Sequence, residues 1–125
     1  MKVVLKTEKQ RLGALGETLA ERFLVSRGFV VLMRNYRRPW GEIDIIAEKG
    51  RIVRFVEVKT MSEDGTLHHQ PEDMVDERKL AKLARTASLF MEENEDAREF
   101  QLDVVAIILD TKTQTARCRL IEQVL

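Results

Sequence analysis

At 125 residues, 44% hydrophobic and 34% charged, the chain has apolar material for one core and little length for a second, so a single domain over 1–125 is expected. Its 21 Lys+Arg balance 21 Asp+Glu, which argues against a generic nucleic-acid-coating protein, whose affinity rests on excess positive charge. The lone Cys118 excludes an internal disulfide, no apolar run reaches the roughly 20 residues of a bilayer-spanning helix, and Met1–Lys6 is too short of apolar residues for a signal peptide. A cytoplasmic protein is the expectation.

From about Gln10 to Arg27, the apolar positions Leu12, Leu15, Leu19, Ala20, Phe23 and Leu24 recur at three- and four-residue spacing. This predicts a helix, which Gly28 stops. Phe29–Met33 is a strand-length apolar run, followed by a loop at Asn35–Gly41. Glu42–Ala47 and Ile52–Lys59 are two further strands joined by a hairpin turn within Glu48–Arg51. The polar stretch Thr60–Gln70 predicts a loop, and Pro71 is suited to open a second helix. That helix carries Met74, Val75, Leu80, Leu83, Ala87 and Phe90, and fades in the acidic Glu92–Asp96. Leu102–Leu109 predicts a buried strand, and a last strand lies within Thr115–Ile121. The order (helix, three strands, helix, one or two strands) predicts an α/β domain with a mixed sheet flanked by helices.

The informative residues are Glu17, Asp44, Glu57 and Lys59. If Lys49-Gly50 is the two-residue turn of the hairpin, Asp44 stands opposite Phe55, and Glu57 and Lys59 share that face. A turn one residue longer or shorter would send Asp44 to the other face. Carboxylates set among Ile43, Ile45, Val56 and Val58 are costly in a partly dry place unless they are paired or bind a metal, and two side by side repel. A hard divalent cation relieves both penalties, and two carboxylates plus waters suit Mg²⁺. Lys59 beside them is placed to hold an attacking water and to stabilise charge developing on a phosphate. Glu17 falls at the edge of the first helix's apolar stripe, while Glu21 points away from it; Glu17 is placed to ligate a second metal or orient a water.

Gly13–Glu17, Arg34–Arg37, Gly41–Ala47 and Phe55–Thr60, together with Lys79, resemble the YraN-like family, predicted endonucleases of the PD-(D/E)XK superfamily similar to archaeal Holliday-junction resolvases. The resemblance runs from about Arg11 to Ile108. It implies a restriction-endonuclease-like αβββαβ core, with Mg²⁺ or Mn²⁺ held by Asp44, Glu57 and the Val58 carbonyl. It further implies that Lys59 positions the water, that Glu17 completes the site and that Lys79 lies near phosphate. The implied activity is metal-dependent endonucleolytic cleavage of DNA, by analogy branched DNA in repair or recombination. A homodimer would let two sites cut the two strands of a symmetric junction. Two departures, Met61 and Gln101, each stand where many relatives carry a basic residue.

Arg34, Arg37 and Arg38 with Tyr36 and Trp40 are expected at the mouth of the site, holding phosphates or forming a solvated loop with Trp40 over the core edge. His68 and His69 lack zinc-like partners, Asp103 is expected to be a structural partner for an arginine, and Cys118 an ordinary strand residue. The rival to a nuclease is a non-catalytic module that keeps the fold and binds nucleic acid or protein. Neutral charge favours the module, and the intact Asp44, Glu57 and Lys59 set favours the enzyme.

Overall fold

Helix α1 spans Glu8–Ser26 in a computed structural model that describes residues 8–63 and 76–125. Gly28, at φ 88°, turns the chain out of it into strand β1, Val30–Arg38. Strands β2 (Gly41–Lys49) and β3 (Ile52–Ser62) follow, then α2 (Glu77–Glu93), β4 (Phe100–Asp110) and β5 (Thr115–Ile121). The strands lie in the order β1-β2-β3-β4-β5, all antiparallel except the β3–β4 pair. This is the αβββαβ order expected, closed by one more strand. None of the described helices is long and apolar enough to cross a membrane.

Neighbouring residues of the central strands serve opposite faces. Val56 packs with Ala20 and Leu24 of α1, Ile45 and Val105, whereas Phe55 packs with Leu80, Leu83 and Phe90 of α2 and Ile46. The two helices therefore cover the two faces of the sheet, and β3 and β4, buried on both over Val53–Val56 and Leu102–Ile107, are apolar there apart from one residue each. The buried exceptions Arg54 and Asp103 satisfy each other: Arg54 Nη1 donates to Asp103 Oδ2 at 3.3 Å and to Glu122 Oε1 at 3.0 Å. Asp103 also accepts from Gln101 Nε2 and from the Gln123 backbone N–H, each at 2.9 Å, so it has the structural role expected.

Two expectations change, and one lies outside the described residues. The run after Met33 is no loop: β1 continues through its arginines to Arg38, which pairs with Gly41, leaving only Pro39-Trp40 as the turn. The polar composition of Arg34–Arg38 hid a strand held by its ladder to β2. Leu15 is exposed, and Gly16 meets the sheet instead, since a Cβ there would collide with Thr60 Oγ1 on β3. A start of the second helix at Pro71, with Met74 and Val75, lies outside the described residues, as do His68 and His69; the described helix is capped by Asp76, which accepts from Arg78 N at 2.8 Å.

The same close approach recurs at Gly41, where a Cβ would strike Thr86 Oγ1 of α2. Gly16→Ala and Gly41→Ala are each expected to destabilise by about 1–3 kcal/mol, the cost of overfilling a packed contact. Thermal melts check this, and Thr60→Ala added to Gly16→Ala should recover part of the loss.

Candidate functional site

The β2–β3 turn is Gly50-Arg51, with φ of 62° and 65°, the positive pair a two-residue hairpin turn needs. The ladder therefore runs Lys49↔Ile52 to Ile45↔Val56, two residues away from the Lys49-Gly50 expectation. An even shift keeps the face, and continuing the register by one residue sets Asp44 opposite Glu57 instead of Phe55. The ladder ends there. Ile43 belongs to the α2-side cluster and Ile45 to the α1-side cluster, so strict alternation breaks across Asp44. On β1, the partner register passes from Arg34↔Ile45 to Tyr36↔Ile43 around Asn35, whose φ is 54°. Past the end of the ladder, Asp44 Oδ2 accepts the Val58 N–H at 2.8 Å.

Burial pushes the Asp44 carboxyl up from its ordinary 3.8 to about 6. The Val58 N–H works against that rise, the charges of Glu17 and Glu57 add to it, and Lys59 opposes it. Lys59 Nζ lies 3.5 Å from Glu57 Oε1. From the facing helix, Lys79 comes within hydrogen-bonding reach of Lys59, and that contact, with the Lys59 charge and burial, lowers the Lys79 ammonium below its ordinary value. Asp44, Glu57 and Glu42 face Lys79 and Lys82 of α2 and Arg38 of the β1–β2 hairpin around a cavity of about 350 Å³.

Sequence reasoning brought Asp44, Glu57, Lys59 and Lys79 to one place, with Glu17 near enough to act on Asp44. Glu17 has a further partner: Arg34 Nη2 lies 3.7 Å from it and Arg34 Nε 4.0 Å from Glu21. Glu21 thus faces Arg34 instead of pointing away, and Arg34, expected to hold phosphate, is turned onto carboxylates. Arg38 lines the cavity, stacks over Tyr36 at 4.4 Å and pairs with Glu93, while Arg37 is exposed. Trp40 is half-buried, its indole N–H buried without a hydrogen-bond partner. Missed in the sequence were Glu42 and Lys82. Lys82 was recoverable, being three residues beyond Lys79 on the same helix.

The site's chemistry suits a hard cation. A half-buried carboxylate held ready by a backbone N–H, beside a second carboxylate, gains from a divalent charge what burial takes away. Among the described residues no three His, Cys, Asp or Glu side chains gather into a ready metal cage. An ion that keeps most of its waters, as Mg²⁺ does, needs only one or two carboxylates.

Residues 16–107 match the model of a family described as "Uncharacterised protein family UPF0102". The chain is 43% identical over 110 residues to a UPF0102 protein of Beutenbergia cavernae, covering 87% of this chain and 91% of that one. It is 40% identical over 111 residues to one of Corynebacterium efficiens (87% of each chain), and 38% identical over 117 residues to one of Moorella thermoacetica (91% and 94%).

A carboxyl raised to about 6 binds its proton more tightly folded than unfolded, so its ionisation opposes folding above about pH 6, and the penalty fades as pH falls toward 4. Asp44→Asn keeps an oxygen for the Val58 N–H and removes the charge. It is expected to stabilise the protein by about 2–3 kcal/mol near pH 7, the gap to wild type closing toward pH 4. Denaturant unfolding across that range checks both magnitude and sign.

Proposed function

The chain belongs to the uncharacterised UPF0102 family, the YraN-like family its motifs resemble, and from the geometry of its site we propose that it is a metal-dependent endonuclease that hydrolyses phosphodiester bonds in DNA. The observation that carries the proposal is the raised Asp44 carboxyl beside Glu57, with Lys59 paired to Glu57 and with Lys79 and Lys82 of α2 lining the same cavity as the two carboxylates. A repelling carboxylate pair facing a basic wall has the charge layout of a site for a cation and a phosphodiester together.

Asp44 and Glu57 would hold Mg²⁺ or Mn²⁺, with the Val58 carbonyl as a backbone ligand and Glu17 as a further ligand or water-orienting group. The bound ion supplies positive charge to a phosphodiester oxygen and acidifies water. Lys59, tethered to Glu57, holds the attacking water in line with the phosphorus and meets the charge that develops on the phosphoryl oxygens. The water oxygen forms a new P–O bond, its proton leaves to solvent, and the P–O bond to one sugar oxygen breaks as that oxygen takes up a proton. Lys79 and Arg38, which line the cavity, would contact phosphate. By analogy with the junction resolvases that the family's motifs resemble, branched DNA is the favoured substrate, and a homodimer would place two such sites on a symmetric junction.

The second reading is a binding module without catalysis, supported by the balanced 21 and 21 charges. Linear, flapped and four-way-junction DNA incubated with Mg²⁺ or Mn²⁺ separates the two. The enzyme cleaves at least one of these only with metal, and Asp44→Asn lowers the rate by about 100-fold or more, the scale of several kcal/mol of charge stabilisation. Binding without metal-dependent cleavage of any of them selects the module.

A further inference from the structure

The cavity has a difficulty of charge. Glu42, Asp44 and Glu57 line it opposite Arg38, Lys79 and Lys82, so its lining carries three charges of each sign and offers a polyanion no net attraction until a cation joins the carboxylates. The attraction that draws a polyanion to its mouth must come from groups around it, although the chain's net charge is zero.

Helix α2 supplies that attraction. Its first nine residues carry Arg78, Lys79, Lys82 and Arg85 against one acid, Glu77, and the next acid is Glu92. All four cations are exposed, and none forms an ion pair with another described residue, whereas Arg34, Arg54, Arg98 and Arg117 are each neutralised by carboxylates. At about 100° per residue, Arg78, Lys82 and Arg85 fall within roughly 60° of one another, on the side away from Leu80 and Ala87, which are buried. Lys79 lies about 60° further round, toward Lys59. Lys79 and Lys82 line the cavity as well, so the basic flank starts at the site and runs outward from it. From Arg78 to Arg85 it is about 10 Å long at ~1.5 Å per residue, the axial reach of roughly three successive phosphates of one strand.

We propose that Arg78, Lys82 and Arg85 form a docking surface for the sugar-phosphate backbone of a nucleic-acid strand and lead it along α2 into the cavity. Only the destination of the strand rests on the endonuclease reading. The surface is electrostatic and sequence-independent, and single strands and duplexes share its ligand chemistry.

The test uses the full chain carrying Asp44→Asn, so that DNA is bound and not cut, and reads fluorescence anisotropy of a labelled single-stranded oligonucleotide and of its duplex across a salt series. Arg78→Glu, Lys82→Glu and Arg85→Glu together are expected to weaken binding of one or both probes at least about tenfold and to flatten the slope of log affinity against log salt by about 2, at ~0.7 for each phosphate no longer held. The swap Arg78→Lys, Lys82→Arg and Arg85→Lys retains affinity. A reversed-charge variant that melts like its parent yet binds both probes with unchanged affinity and slope overturns the proposal. So does polyglutamate that displaces the probes as well as unlabelled DNA of the same charge. If binding depends on the flank while the wild-type chain cuts no DNA, the docking surface stands and the endonuclease reading falls. If the wild type cuts and binding ignores the flank, the reverse holds.

Discussion

Where β2 and β3 part, the Val58 N–H would lose its ladder partner, and a carboxylate takes the place of the missing carbonyl: Asp44 Oδ2 accepts it at 2.8 Å. An orphaned buried N–H costs about 1–3 kcal/mol, so this bond fixes the direction of the Asp44 side chain as firmly as a strand fixes its backbone. It also creates the tension on which the site depends. The same placement that secures the carboxylate strips it of water and sets it against Glu57, so its ionised form is paid for elsewhere in the fold. A hydrogen bond from one N–H only partly offsets that cost, and a cation would remove most of it.

Two glycines carry the helices close enough to complete the arrangement. Gly16 precedes Glu17, and Thr60, which it touches, follows Lys59, so a close approach of α1 to β3 falls beside two residues of the proposed site. On the other face, Gly41 lies against Thr86 of α2, whose hydroxyl donates to Lys82 O at 2.9 Å. This seats the basic turn of α2 over the start of β2, three residues before Asp44. The tip of the β1–β2 hairpin is tied to the same helix through Tyr36 Oη, which donates to Glu93 Oε2 at 3.2 Å.

The fold was legible where periodicity is produced by burial on one or two faces. The apolar repeats of α1, α2 and β4, and the Gly50 turn, gave elements and order to within a few residues. The arginine-rich half of β1 was not legible, because its pairing comes from β2 and leaves no apolar pattern in its own residues. The Asp44–Glu57 pair was reached through a register two residues off. It survived because side chains alternate with period two, so an even error preserves the face. The kink at Asp44 and the Asp44–Val58 bond have no signature in the sequence, since both depend on where the β2–β3 ladder stops. Arg34 shows the limit of residue type as a guide: a basic residue near the site faces Glu17 and Glu21, and only the packing of α1 on the sheet decides that.

The neutral composition conceals a segregation of charge, with carboxylates inside the cavity and cations on the α2 wall and hairpin around it. That layout is meaningful only if a divalent ion joins the carboxylates. Calorimetric titration of the apo-protein with Mn²⁺ near pH 7 tests this most directly. The account predicts saturable binding that is abolished by Asp44→Asn and by Glu57→Gln and weakens as the solution is taken below about pH 6, where the Asp44 carboxyl takes up its proton. Absence of Mn²⁺ binding, or binding indifferent to both substitutions, would contradict it.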